Sequence, residues 1–462
     1  MAADQRMHSV NPATEEVLGT FESAAPEQIE QVLSAAQRTY REWRHTDFAA
    51  RAERMQQLAA YLRQHKGRLA GLITAEMGKP IVEAEAEIEK CAWNCAFYAE
   101  HAEGFLGDEP HPSSAAESYV QFTPLGVILA IMPWNFPFWQ VIRFAAPALM
   151  AGNTAVLKHA SNVPRCAQAI AEVFAASGFP QGVFQTLLLP GSAVPRLIED
   201  PRIVAVTLTG SDGAGSHVAA TAGRVLKKTV LELGGSDPFV VLDDADLEAA
   251  VTTGVRARYQ NAGQSCIAAK RFIVVEPIFQ QFEERFAEAV RGLRLGDPTE
   301  RSTQIGPLAR NDLRETLEQQ VRRSCEQGAK VLVGGGRRSG RGYYFTPTVL
   351  TDVKPDMPAS CEEVFGPVAA LLKVRNAEEA IHVANDSPYG LGANLWTTDV
   401  ARARRLAREI EAGQVFINGM VSSDPRLPFG GVKHSGYGRE LSAYGIREFV
   451  NIQTVWIGPA QA

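Results

Sequence analysis

The stretch Tyr259-Gln260-Asn261-Ala262-Gly263-Gln264-Ser265-Cys266 is a polar run that ends on one cysteine. Gly263 lets the backbone turn where a side chain would obstruct it, and residues 267–275 read as a short helical turn leading into a buried strand. A thiol at such a junction is held rigidly while facing a cleft, as a nucleophile requires. The alternative is a small apolar residue in a core, the common fate of a free cysteine. Pro133-Trp134-Asn135-Phe136-Pro137 follows an apolar strand. An amide held there can donate to a developing oxyanion, or simply make a turn. Glu232-Leu233-Gly234-Gly235 ends a strand on a carboxylate. Desolvation there would raise its pKa and suit it to general-base work; an ordinary salt bridge is the alternative. Thr209-Gly210-Ser211-Asp212-Gly213-Ala214-Gly215 opens a helix, where backbone N–H groups can meet a nucleotide phosphate. Its GxxxxG spacing lacks the Lys-Ser/Thr of a P-loop and is not GxGxxG.

These groups must be carried by alternating strands and helices. Residues 26–105 are helical in period, with Ile29, Val32, Leu33 and Ala36 on one face. From Val127 onward, short apolar runs (127–132, 154–157, 183–189, 204–208, 229–233) alternate with helical stretches, the pattern of a doubly wound parallel sheet. A second series has strands at 271–275, 330–333, 368–374 and 414–418, with helices at 279–291, 313–327 and 400–410. The two α/β domains join near 234–243. The β-forming tail 449–456 needs a partner strand, in the Tyr119 segment or another subunit.

The chain has 462 residues, 45% hydrophobic and 21% charged, with a net charge of −6. That balance is globular and gives no reason to expect nucleic acid or an acidic membrane as partner. Six cysteines without CxxC or Cys/His spacing predict neither a disulfide framework nor a metal site, and fit a reducing, cytoplasmic setting. The apolar run from Gly126 to Trp134 is about half the ~20 residues of a membrane helix.

Trp134-Asn135-Phe136-Pro137, Gly210/Gly215, Glu232-Leu233-Gly234-Gly235, Gly263-Gln264-Ser265-Cys266, Glu363-Val364-Phe365-Gly366-Pro367 and Pro428-Phe429-Gly430-Gly431 occur in the order seen in one family. From about Asn11 to Trp456 the chain resembles the NAD(P)-dependent aldehyde dehydrogenases. The resemblance implies an α/β fold with two doubly wound parallel-sheet domains and a β oligomerisation arm. The cofactor-binding domain would be 1–106 and 124–234, the catalytic domain 235–443, and the oligomerisation strands 107–123 and 444–462. It further implies Cys266 as nucleophile, Asn135 as oxyanion donor and Glu232 as the base that activates water. Trp134, Lys158, Ser161, Gly210, Ser211, Gly215, Glu363 and Phe365 would bind cofactor, in a homodimer or homotetramer.

Relatives restricted to NAD tend to have Glu where Ser161 stands. A carboxylate repels a 2′-phosphate, whereas Ser161 can donate to it beside Lys158, so NADP is the expected cofactor and NAD the alternative. Ser161 could also cap the following helix. Trp139-Gln140-Val141-Ile142-Arg143 resembles the succinate-semialdehyde dehydrogenases, in which an arginine here and a serine where Ser423 stands hold the substrate's distal carboxylate, with Phe136 on the substrate side. A structural ion pair is the alternative for Arg143. The resemblance suggests oxidation of succinate semialdehyde in 4-aminobutyrate breakdown. A broader aldehyde range, including glutarate semialdehyde, and a catalytically silent relative are the rivals. Gln260 and Ala268 depart from members with a second arginine or a second loop cysteine, so no intraloop disulfide is expected.

Overall fold

Val127–Met132, Thr154–His159 and Ile203–Thr209 are apolar, largely β-branched runs buried at nearly every position, as strands covered on both faces must be. A computed structural model describes residues 6–458. In it these runs are the centre of a six-stranded sheet ordered Gly436–Tyr437, Lys228–Glu232, Ile203–Thr209, Val127–Met132, Thr154–His159, Phe184–Leu187. All neighbours are parallel except Gly436–Tyr437, which runs antiparallel to Lys228–Glu232. That strand falls in the stretch expected to belong wholly to the second domain. It joins the first sheet because Gly436, at φ +109°, lies where a Cβ would strike the Leu231 carbonyl.

The second sheet has seven strands, ordered Lys330–Val333, Thr348–Thr351, Val368–Val374, Ala269–Val275, Asp237–Val241, Gly392–Trp396, Gln414–Ile417. Asp237–Val241 is a strand where sequence suggests a junction. Its Gly-Gly-Ser-Asp-Pro approach looks like a turn, yet the Asp237 carboxylate accepts the Gly392 N–H at 3.1 Å and ties two neighbouring strands together. The helix expected to reach 410 ends at Leu406. Among the described residues no helix is long and apolar enough to cross a membrane.

Four N-terminal helices, Pro26–Trp43, Phe48–Gln64, Lys66–Met77 and Ile81–Leu106, pack on the first domain. One core runs from Met55, Leu58 and Ile88 through Phe138 and Ile142 to Ile128 and Leu157. The tail strand Val450–Ile457 pairs antiparallel with Glu117–Pro124, with Val455 opposite Tyr119. Its partner therefore lies within the same chain.

Candidate active site

Helix Leu247–Tyr259 runs into the cysteine loop through three consecutive left-handed residues, Asn261 (φ 54°), Ala262 (φ 52°) and Gly263 (φ 73°). Two of them carry side chains, a strain of order 1–3 kcal/mol each that persists only where neighbours over-determine it. They do so here. The Asn261 N–H donates to the Glu83 carboxylate at 2.7 Å, and its side-chain amide to the carbonyls of Asn135 (2.9 Å) and Gln264 (3.0 Å). Buried Arg258 donates to the carbonyls of Gly263, Val364 and Gly366, and a Cβ on Gly263 would strike Gly366. Downstream, Lys270 Nζ donates to the carbonyls of Ser265 (3.1 Å) and Cys266 (2.8 Å).

Cys266 emerges from this scaffold partly exposed. Burial pushes its thiol up to about 12, against the opposing pull of Arg143 and Lys270. Ala268, which stands where a second cysteine would be needed, is buried.

Asn135 is 5% exposed, and its Nδ2 donates to the Gln264 carbonyl at 3.2 Å. An amide has two donor hydrogens, so one remains for another acceptor. The loop bearing it is fixed from behind: His159 Nε2 donates to the Pro137 carbonyl at 2.9 Å while Nδ1 accepts from the Ala160 N–H at 2.8 Å. Those two bonds require a neutral ring, and burial holds His159 down to about 4. Trp134 meets Phe365 edge-on at 5.8 Å, and Lys79 Nζ lies 3.7 Å from the Phe136 ring centre.

Glu232 ends its strand 2% exposed, and neither carboxylate oxygen has a hydrogen-bond partner. Burial pushes its carboxyl well up, and the Glu440 carboxylate adds to the push. Three residues on, the same stretch meets the cysteine loop, where a Cβ on Gly235 would sit 2.6 Å from the Cys266 carbonyl. Arg143, on helix Trp139–Met150, is 1% exposed. Its guanidinium is ion-paired with buried Glu440, donates to Thr209 Oγ1 at 3.3 Å and stacks over Phe429 at 4.6 Å. The arginine expected to receive a substrate carboxylate thus has an internal counter-charge, as a cation this deep requires, while its Nη1 group has no partner among the described residues.

Helix Ile81–Leu106 brings in residues that no local motif marks. Glu83, Glu87, Lys90 and Asn94 repeat at helical spacing and form one polar stripe in an apolar helix. Glu87 ion-pairs with buried Lys79 and accepts the N–H groups of Phe138 (2.9 Å) and Trp139 (3.0 Å), fixing the start of the Arg143 helix. Lys90 Nζ donates to Ser423 Oγ at 2.7 Å and lies over Trp139 at 4.5 Å. The stripe's period is legible in the sequence; its partners on the Phe138, Asn261 and Ser423 segments are not.

On the cofactor side, Lys158 is 7% exposed, and among the described residues no acceptor meets its Nζ. Ser161 does not cap the following helix, Pro164–Ala176. Glu76 does so instead, accepting from the N–H groups of Arg165 (3.0 Å) and Cys166 (2.8 Å). The Ser161 hydroxyl is left without a hydrogen bond among the described residues. Ser211 caps helix Asp212–Arg224 by accepting the Ala214 N–H at 3.3 Å, and the Gly210 N–H is taken by the Glu232 carbonyl at 3.0 Å. Gly215 lets that helix approach Leu233, which a Cβ would meet at 2.5 Å. Glu363 accepts the Gly235 N–H at 2.9 Å and lies 3.6 Å from Lys270. A buried cation lacking an anion, three residues before a free hydroxyl, fits a phosphorylated nucleotide ribose.

The family model for the aldehyde dehydrogenase family matches residues 1–455. A Synechocystis protein named probable succinate-semialdehyde dehydrogenase [NADP(+)] is 53% identical over 449 residues, 97% of this chain and 99% of the relative. A Mycobacterium tuberculosis protein named succinate-semialdehyde dehydrogenase [NADP(+)] 1 is 52% identical over 452 residues, 97% of this chain and 99% of the relative. The crystal structure of succinic semialdehyde dehydrogenase from Streptococcus pyogenes, in complex with NADP+, superposes with a TM-score of 0.96 at 38% identity, covering 98% of this chain and 100% of that one. A thiol loop, an unpartnered buried carboxylate and full-length similarity agree: the chain belongs to the aldehyde dehydrogenase family.

Proposed function

We propose that this enzyme oxidises succinate semialdehyde to succinate with NADP. The Cys266 thiol gives up its proton to solvent as its sulfur adds to the aldehyde carbon, and the carbonyl oxygen takes the negative charge. The free Asn135 amide hydrogen and the Cys266 backbone N–H stabilise it, as preorganised donors do in an oxyanion site. Bound nicotinamide supplies the two-electron acceptor for the hydride that leaves the former aldehyde carbon, and a thioester remains on Cys266. Glu232 then takes a proton from water, whose oxygen attacks the thioester carbon; the C–S bond breaks, the proton passes from Glu232 to the leaving Cys266 sulfur, and the carboxylic acid departs. The observation that carries this reading is the Glu232 carboxylate, buried with both oxygens unpartnered on the stretch whose Gly235 meets the Cys266 carbonyl. Lys158 and Ser161 would hold the 2′-phosphate of the cofactor.

Exposed Ile452, Trp456 and Ile457 on the tail strand support a second copy of the chain as partner in a homo-oligomer. The substrate reading is tested by kcat/KM for succinate semialdehyde, glutarate semialdehyde, propanal and butanal, each with NADP and NAD. Succinate semialdehyde with NADP is expected to lead; equal values for the carboxylated and plain aldehydes would overturn the substrate, and equal cofactor values the cofactor.

A further inference from the structure

Lys270 stands second in the strand Ala269–Val275 and is 1% exposed, behind the cysteine loop. Burying an ammonium is costly, so its charge calls for a use as well as a partner. The Glu363 carboxylate supplies the partner, 3.6 Å away. The use lies in what the ammonium hydrogens meet. Lys270 Nζ donates to the Cys266 carbonyl at 2.8 Å and to the Ser265 carbonyl at 3.1 Å. The Ser265 carbonyl and the Cys266 N–H are the two ends of one planar peptide unit. That carbonyl accepts a second bond, from the Ala268 N–H at 3.2 Å. The Cys266 N–H at the other end donates to no group among the described residues. One peptide thus has a doubly occupied acceptor, one of its donors a buried cation, and an idle donor beside the thiol.

Resting on the thioester reading, we propose that Lys270 is a positioning residue that strengthens the Cys266 N–H as an oxyanion donor. Hydrogen bonds in series polarise one another, and a cation on the carbonyl draws electron density from the N–H of the same peptide. That N–H then has more positive charge where the tetrahedral oxygen develops, and it has it before the substrate arrives. A clamp alone would not need the charge, since the Ala268 N–H already holds the Ser265 carbonyl in its turn. Glu363 fixes the ammonium from the far side: its carboxylate also accepts the Gly235 N–H at 2.9 Å. Gly235 in turn packs on the Cys266 carbonyl, which a Cβ there would meet at 2.6 Å. Carboxylate, ammonium and thiol loop therefore form one contiguous assembly.

The test reads the thioester carbonyl, where protonation of the thiol no longer matters. The Glu232→Gln enzyme is acylated with succinate semialdehyde labelled with carbon-13 at the aldehyde carbon. Infrared difference spectra against the unlabelled acyl-enzyme isolate that one carbonyl stretch. Adding Lys270→Met, similar in shape but uncharged, should move the stretch to higher wavenumber, and Lys270→Arg should return most of the shift. With Glu232 intact, kcat should fall about 10-fold in Lys270→Met, less than the loss of a whole oxyanion donor. An unchanged stretch in folded Lys270→Met would overturn the proposal. So would an equal shift in Lys270→Arg, which would make the lysine a clamp whose charge is unused. A Glu232→Gln enzyme that never acquires the acyl group would remove the thioester reading itself. Should Lys270→Met fail to fold, Asn135→Ala in the Glu232→Gln enzyme decides, because the Cys266 N–H is then the remaining donor. The stretch should stay below that of the same acyl-enzyme unfolded in denaturant; equal positions would contradict the proposal.

Discussion

The two sides of the cleft are built from different materials. The cofactor side is made of strand ends, a helix start and close glycine contacts: Lys158 ends one strand, Ser211 caps a helix, and Gly215 admits Leu233. Its charged group waits for a ligand. The substrate side is made of side-chain pairs gathered from distant segments, Glu87 with Lys79, Arg143 with Glu440, and Lys90 with Ser423. Most of its charge is already neutralised.

The largest expected effect lies where the two sides meet. Cys266→Ala should lower kcat by at least about 10⁴-fold, as loss of a covalent nucleophile does. Steady-state NADPH formation measures it, and retention of even a tenth of the activity would contradict the assignment. Arg143→Met tests whether the substrate side is held by internal pairing. It strands the Glu440 carboxylate, so about 3–5 kcal/mol of stability should be lost in denaturant unfolding. Lys90→Met removes an uncompensated charge, and its midpoint should stay or rise. Equal losses in both would erase the distinction between paired and waiting cations.

On the cofactor side, Ser161→Glu places a carboxylate against the proposed 2′-phosphate. kcat/KM with NADP should fall about 100-fold while NAD is spared, a repulsion of the size expected for like charges in a cleft. A parallel loss with both cofactors would show Ser161 to be structural. The smallest effect is a pH slope. Glu232 has its carboxyl pushed up, so its base form is populated only as pH rises. Single-turnover thioester hydrolysis should therefore accelerate as pH rises, in the sense expected for general-base catalysis. A slope of the opposite sign would assign Glu232 the acid role.

The same contrast explains what the sequence revealed. Cys266, Glu232, Asn135 and the Gly210–Gly215 turn lie in short motifs whose chemistry and backbone demands are local. The tail strand was legible from its β-branched run, and its register against Tyr119 completed it. Asp237–Val241 was hidden because Asp-Pro looks like a turn even when it opens a buried strand. Arg143 stands out in its apolar helix, but its pairing with Glu440 depends on packing between segments 297 residues apart, from the numbering of the ion pair. Lys90 carries no local signal for a related reason: one lysine in a helix with alternating charges looks solvated until Trp139 and Ser423 pack against it.

The chemistry rests on one division of labour, Cys266 forming the thioester and Glu232 clearing it. Glu232→Gln, mixed with succinate semialdehyde and NADP and quenched after one turnover, tests that directly by mass spectrometry of the Cys266 peptide. The expected result is a burst of NADPH equal to the enzyme sites and a succinyl group on Cys266. Wild-type turnover, or a burst with Cys266 unmodified, would contradict it.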